Sequence, residues 1–74
     1  MLTKRLHDYI QEPELARNNF ALGREYELIG QTGAAISFYL RTAERSQTDL
    51  EQYEALIRMA LCFERQRTRD GTQE

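Results

Sequence analysis

The residues that could do chemistry in this chain of 74 residues are few and far apart in sequence. His7 is the only histidine and Cys62 the only cysteine, and no paired Cys and His spacing suggests a zinc site or a Cys/His couple. Cys62 stands between Leu61 and Phe63, which favours a packing role over a reactive thiol. His7 lies in a short terminal segment and is predicted to be an ordinary surface or interface side chain. We therefore expect no enzymatic activity, no catalytic residue, no bound metal and no cofactor.

Two other patterns are partly similar to functional sites but lack features that such sites require. Residues 30–33, with the sequence GQTG, have the glycines of a phosphate-binding loop but lack a preceding strand and a following lysine. These residues are predicted to end one helix and begin the next. The acidic pairs Glu25 with Glu27 and Glu51 with Glu54 have no metal-site pattern around them and are predicted to be solvated faces.

A binding surface is better supported than a reactive one. Residues at intervals of three or four positions form one stripe, at Arg17, Phe20, Arg24 and Leu28. A separate stripe of apolar residues comprises Leu22, Tyr26 and Ile29. Arginines beside an exposed aromatic ring favour a peptide with acidic side chains or a free carboxylate. The alternative is that these arginines are solubilising charges with neighbouring salt-bridge partners.

Composition limits which classes of partner and which cellular location are expected. The net charge is −2 and the pI is about 5.4, so the chain has no overall basic field for nucleic acid or an anionic membrane. With 41% hydrophobic and 30% charged residues, the chain is predicted to fold as one small domain, residues 1–74. The single cysteine and the lack of a signal peptide or a membrane-spanning run favour a cytoplasmic location.

The hydrophobic spacing predicts an all-α fold with four helices. A short amphipathic helix covers residues 2–11. A second helix is expected from Pro13, which suits a first turn, to Ile29, with Gly30 as a left-handed terminator. Thr32 is predicted to cap a third helix over residues 34–45. Thr48 and Glu51 fit a capping box that opens a fourth helix, ending near residue 66 or 67, and residues 68–74 are predicted to be a loop or a frayed end.

An internal repeat links the second and fourth helices. Under a shift of 37 residues, Leu22 falls on Met59, Gly23 on Ala60, Tyr26 on Phe63 and Glu27 on Glu64. Together with the helix that follows, the first unit resembles a tetratricopeptide repeat, a helix-turn-helix unit of 34 residues. The residues that carry the resemblance are Leu22, Gly23, Tyr26, Gly30, Ala35, Ile36 and Tyr39. The chain departs from the family pattern at Asn19, Thr42, Gln47, Arg67 and Thr72.

The resemblance covers residues 15–67, about one and a half repeats from the N-terminal part of an array. It implies a fragment of a right-handed α-solenoid, with a hairpin over residues 13–46 and the first helix of a second repeat over residues 48–67. In that family Gly23 and Ala35 would permit close contact between the helices of the hairpin. The first helix of each hairpin lines a concave groove, which in this chain would contain Arg17, Phe20, Arg24, Glu27, Leu28, Glu54, Ile57, Arg58, Leu61 and Arg65.

The function expected from this resemblance is a noncatalytic scaffold that binds a protein segment in its groove or stacks on further repeats. An array usually needs at least three repeats for stability, so self-association through the fourth helix is a second expectation. One alternative is a docking or oligomerisation part of a larger enzyme, such as a glycosyltransferase. Another is RNA binding along an edge formed by Arg58, Arg65, Arg67 and Arg69, which the acidic net charge disfavours.

Overall fold

The computed structural model describes residues 2–11 and 15–69, and the regular structure within them is entirely helical. The all-α prediction is therefore confirmed for this part of the chain. The elements are α1 (Leu2–Gln11), α2 (Ala16–Leu28), α3 (Thr32–Arg45) and α4 (Asp49–Arg69). The loop predicted over residues 68–74 begins too early, because residues 68 and 69 still belong to α4. Pro13 itself and residues 70–74 lie outside the described residues.

The turn between α2 and α3 is a Schellman motif centred on Gly30. The Gly30 N–H donates to the carbonyl of Glu27 at 3.1 Å, and the Gln31 N–H donates to that of Tyr26 at 2.9 Å. These bonds satisfy carbonyls that the end of a helix leaves without partners. Gly30 has φ +86°, a left-handed conformation that glycine adopts without steric strain. The structure thus confirms Gly30 as the terminator of this helix.

Two predictions about helix starts need correction. The second helix begins at Ala16 rather than at Pro13, because Leu15 has an extended backbone with ψ 128°. Thr32 does not cap the third helix: it is the first helical residue, and its burial places it against the fold instead of at an open terminus.

The predicted capping box at the start of α4 is confirmed in one half. The Thr48 hydroxyl accepts a hydrogen bond from the Glu51 N–H at 3.2 Å. The Glu51 carboxylate, however, accepts from the N–H of Gln47 at 3.2 Å, one residue before the expected partner. Both bonds hold the connection between α3 and α4 in a defined geometry, because each satisfies an amide near the helix start.

Helices α2, α3 and α4 pack in sequence, each antiparallel to the one before. The Thr42 hydroxyl near the end of α3 donates to the carbonyl of Ala16 at the start of α2, at 3.3 Å. The Gln52 amide near the start of α4 donates to the carbonyl of Ala43 at 3.3 Å. Helix α1 packs on α2, and α2 meets α4 over a smaller area than either shares with α3. The fully buried apolar residues are Leu22, Ala35, Tyr39, Ala55 and Cys62.

Two polar residues that depart from the tetratricopeptide pattern are buried for a clear reason. The Asn19 amide donates to the carbonyl of Leu15 at 2.9 Å, which supports the first turn of α2. The single hydroxyl proton of Thr42 has two carbonyl acceptors within reach, Phe38 in its own helix at 2.9 Å and Ala16 on α2 at 3.3 Å. A buried polar group costs little stability when it is hydrogen-bonded. Both side chains therefore form hydrogen bonds near helix ends.

The close contact between α2 and α3 is set by Gly23 and Tyr39. A Cβ atom built on Gly23 would lie 2.7 Å from Cε1 and 2.8 Å from Cδ1 of the Tyr39 ring, closer than van der Waals contact allows. The ring is fully buried and cannot move aside into solvent. The absence of a side chain at residue 23 is therefore required for Tyr39 to pack where it does.

We predict that Gly23→Ala lowers the free energy of unfolding by about 1–3 kcal/mol, because the added methyl group overpacks the contact with Tyr39. Gly33→Ala is the matched control, since its Cβ would meet only the Gln66 amide at an ordinary 3.7 Å. This control should leave stability unchanged or raise it by up to about 1 kcal/mol through helix propensity. Urea unfolding followed by circular dichroism measures both, and equal stability of the two variants would contradict the prediction.

Candidate functional site

The site is built around the Tyr39 side chain, where α2, α3 and α4 meet. The Tyr39 ring packs against Gly23 and against Phe20, whose ring centroid is 5.5 Å away. Cys62 and Met59 of α4 belong to the same cluster. Burial, followed by the hydrogen bond to Glu27 and the charge of that group, raises the pKa of the Tyr39 phenol well above its ordinary value. The phenol therefore stays protonated and acts as a donor.

The Glu27 carboxylate joins the three helices. Its Oε1 accepts a hydrogen bond from the Tyr39 hydroxyl at 2.5 Å, and its Oε2 accepts one from Arg65 at 2.5 Å. Arg58 reaches the same Oε2 atom at 3.5 Å. The Glu27 side chain is only 5% exposed, so these contacts replace most of its hydration.

The charge of Glu27 is stable in this setting. Burial alone would raise the pKa of the carboxyl, but the Tyr39 hydrogen bond and the Arg65 and Arg58 guanidinium groups outweigh it. The net effect lowers the pKa below its ordinary value. A charge-assisted network of this kind is more stabilising than neutral hydrogen bonds and orients all of its members.

A cavity of about 300 Å³ lies beside this network, between α2 and α4. Its lining residues are Phe20, Arg24, Glu54, Ile57, Arg58 and Leu61. All six belong to the groove surface that the sequence predicts. Ile57 and Leu61 are 60% and 46% exposed, which makes this wall of the cavity apolar and open to solvent.

The other four predicted groove residues are placed differently. Glu27 is committed to Tyr39, Arg58 and Arg65, and Arg65 lies in that ion pair with an exposed side chain. Leu28 is exposed but is not part of the cavity wall. Arg17 lines a different cavity of about 250 Å³ together with Arg45 and Glu51.

Arg24 supplies the positive charge of the cavity. Its Nε atom is buried, and no acceptor among the described residues forms a hydrogen bond with it. Arg58, the other cationic wall residue, already shares Glu27 with Arg65. Among the residues that line the cavity, Glu54 is the one acidic side chain and Arg24 and Arg58 are the two basic ones. The cavity wall therefore carries more positive than negative charge.

The two residues considered for reactivity, Cys62 and His7, lie in different environments. Cys62 is fully buried, and burial followed by the charge of Glu27 raises the pKa of its thiol, which disfavours the thiolate. His7 is exposed on α1. Within residues 2–11 and 15–69, no group of three or more His, Cys, Asp and Glu side chains could hold a metal ion.

Three of the four arginines considered for RNA have carboxylate partners. Arg58 and Arg65 bind Glu27, and Arg67 pairs with Glu64 one turn away on α4. The side chain of Arg69 lies outside the described residues. None of the helices in the described part of the chain has the length and apolarity needed to cross a membrane.

No model of a known protein family, no curated protein and no solved structure matches this chain. The function must therefore be argued from the geometry of the site. The tetratricopeptide resemblance stays a prediction.

Sequence reasoning missed the central role of Glu27 and its bond to Tyr39. It assigned Glu27 to the groove surface and Tyr39 to the helix contact, twelve residues apart on different helices. The available signal was the small residue at 23, one turn before Glu27, which indicates that a large side chain from α3 enters at this level of α2.

We predict that Glu27→Gln lowers the free energy of unfolding by about 1–3 kcal/mol at neutral pH, since it removes the negative charge that pairs with two arginines and accepts a hydrogen bond from the Tyr39 phenol. The stability of the variant should also depend less on pH in the acid range than the stability of the parent does. Because the pKa of Glu27 is lower in the folded than in the unfolded state, its stabilisation is complete above the ordinary carboxyl pKa, about 4.3, and is lost as the pH falls below it.

Urea unfolding between pH 7 and pH 2.5 tests this prediction. Glu44→Gln is the control, because the Glu44 side chain is 60% exposed and its ion-pair partner among the described residues is the adjacent Arg45. The control should follow the pH dependence of the parent. An acid dependence of Glu27→Gln that is identical to that of the parent would contradict the assignment.

Proposed function

We propose that this protein is a noncatalytic interaction module whose cavity between α2 and α4 binds a peptide segment with an apolar side chain and a carboxylate. The observation that carries the proposal is the combination of an open apolar wall with two arginines, Arg24 and Arg58, in one cavity. The expected occupant therefore has an apolar side chain for the wall and a carboxylate for the arginines. The module is cytoplasmic in this proposal, and binding needs no cofactor.

The apolar half of the proposed interaction rests on Phe20, Ile57 and Leu61. Phe20 is held in place by its contact with Tyr39, so it offers a rigid aromatic surface. Ile57 and Leu61 are large and exposed on the facing helix. Their removal from water by an apolar side chain of a peptide would supply the main driving force of binding, and a rigid surface loses little entropy when it binds.

The polar half rests on Arg24. A carboxylate on the peptide would form charge-assisted hydrogen bonds with the Arg24 guanidinium, which lines the cavity. The volume of about 300 Å³ is at the lower end of the range for ligand pockets, so it suits one or two side chains of a bound segment. A short acidic and apolar peptide matches these dimensions.

The same architecture supports the proposal that α2 and α3 form a tetratricopeptide-like hairpin and that α4 starts a second one. The short Schellman turn, the small residue at 23 and the antiparallel packing are the supporting features. In such an arrangement α2 and α4 are the helices that face a groove. The cavity lies between these two helices.

A peptide-binding measurement tests the function. Fluorescence anisotropy should detect binding of short labelled peptides that combine a Leu or Phe with Asp, Glu or a C-terminal carboxylate. Peptides of the same apolar sequence with neutral or amidated groups should bind at least tenfold more weakly. Affinity should fall as salt is raised, because the interaction is partly electrostatic.

The matched pair of variants is Arg24→Gln and Arg17→Gln, which remove the same charge from the same helix. Arg24→Gln should weaken binding of the acidic peptide about tenfold or more, whereas Arg17→Gln should not, because Arg17 lies outside this cavity. Circular dichroism shows whether both variants stay folded. Equal affinities of acidic and neutral peptides, or equal effects of the two variants, would contradict the proposal.

A further inference from the structure

Helix α4 carries two apolar stripes with the same spacing, and only one of them is covered. The residues that face α3 are Gln52, Ala55, Met59, Cys62 and Gln66, at alternating intervals of three and four. A second stripe, here called the outer seam, consists of Asp49, Tyr53, Leu56, Ala60, Phe63 and Arg67, at intervals of four and three. Every residue of the outer seam is exposed.

The outer seam has the form of a coiled-coil face. Tyr53, Leu56 and Phe63 are 60%, 44% and 52% exposed, which is unusual for large apolar residues at regular heptad spacing. A continuous apolar stripe on one helix is stabilised when another helix covers it. The seam lies on a different side of α4 from Ile57 and Leu61, which line the cavity.

We propose that the outer seam binds the outer seam of a second copy of this chain, with the two α4 helices antiparallel. The seam is complementary to itself in this orientation and register. A two-fold axis beside position 58 places Tyr53 opposite Phe63 of the other copy and Leu56 opposite Ala60. The same axis places Asp49 opposite Arg67.

Each of these pairings is favourable for a specific reason. Tyr53 and Phe63 form an aromatic pair, and Leu56 fills the space that the small Ala60 leaves. Asp49 and Arg67 carry opposite charges at the two ends of the seam and enclose the apolar layers. Arg67 now pairs with Glu64, but an exposed pair of this kind contributes little, so Arg67 can also interact with Asp49 across the interface.

A parallel pairing lacks this complementarity. It would place Asp49 against Asp49 and Arg67 against Arg67, and it would leave small Ala60 against Ala60. Charge therefore selects the antiparallel orientation, as it does in natural coiled coils. Since the cavity is on another side of α4, dimer formation leaves it open, and the proposal does not rest on peptide binding.

Sedimentation equilibrium of the purified chain over a wide concentration range tests the proposal. We expect a monomer–dimer equilibrium. Ala60→Glu, which places a charge in the middle of the seam, should weaken the dimer at least tenfold. Leu50→Glu is the matched control, because Leu50 is 71% exposed on α4 but outside the seam, and its dimer should persist. Circular dichroism should show native helix content for both.

Charge reversal tests the register. Asp49→Arg and Arg67→Asp should each weaken self-association about tenfold, because each places like charges together twice in the dimer. The double variant should recover the parental affinity, and an equimolar mixture of the two single variants should form a heterodimer.

Three outcomes would overturn the proposal. One is a parent chain that stays monomeric into the millimolar range, which would leave the seam for a different partner. Another is a dimer that Ala60→Glu does not weaken. The last is a double charge reversal that fails to restore association, which would exclude the antiparallel register.

Discussion

The fold depends on placing one buried phenol where three helices meet. The Tyr39 ring needs a residue without a side chain on α2, and Gly23 meets that need. Its hydroxyl needs an acceptor, which is Glu27 one turn further along the same helix. The carboxylate in turn needs positive charge, and α4 provides it through Arg58 and Arg65. The space for the Tyr39 ring on α2 is thus coupled to the positive charges on α4. Without those arginines, Glu27 would be a buried and unpaired charge, which would destabilise the fold.

This coupling has a consequence for the proposed peptide site. Arg58 forms an ion pair with Glu27 and also lines the cavity. Phe20 packs against Tyr39 and also supplies the aromatic surface of the cavity. The groove is therefore held in shape by the same contacts that stabilise the core. In the proposed function such preorganisation limits the entropy that binding costs. Arg58 and Arg65 pair with Glu27, whereas Arg24 also lines the cavity, which in the proposed function makes Arg24 the residue most suited to recognise a partner.

The sequence predicts those features of the fold that repeat along a single helix. Periodicity predicts the four helices and the shared stripe of Phe20 and Arg24 on α2, since helix geometry alone determines which residues of one helix share a stripe. That Ile57 and Leu61 of α4 face the same groove is what the tetratricopeptide resemblance implies. The turn at Gly30 is predictable because glycine favours its backbone conformation. The Glu27 network is not, because it depends on how far α3 and α4 are rotated and shifted against α2. Thr32 shows the same limit: its residue type suits a cap, but packing places it inside the helix.

A double-mutant cycle between Glu27 and Tyr39 tests the central claim most directly. Glu27→Ala, Tyr39→Phe and the double variant are compared with the parent in urea unfolding at neutral pH, so that the coupling free energy of the pair is separated from the effect of each deletion. We expect a favourable coupling of about 1–3 kcal/mol, as for other buried hydrogen bonds to a charged group. A coupling within about 0.3 kcal/mol of zero, the range of independent sites, would contradict it.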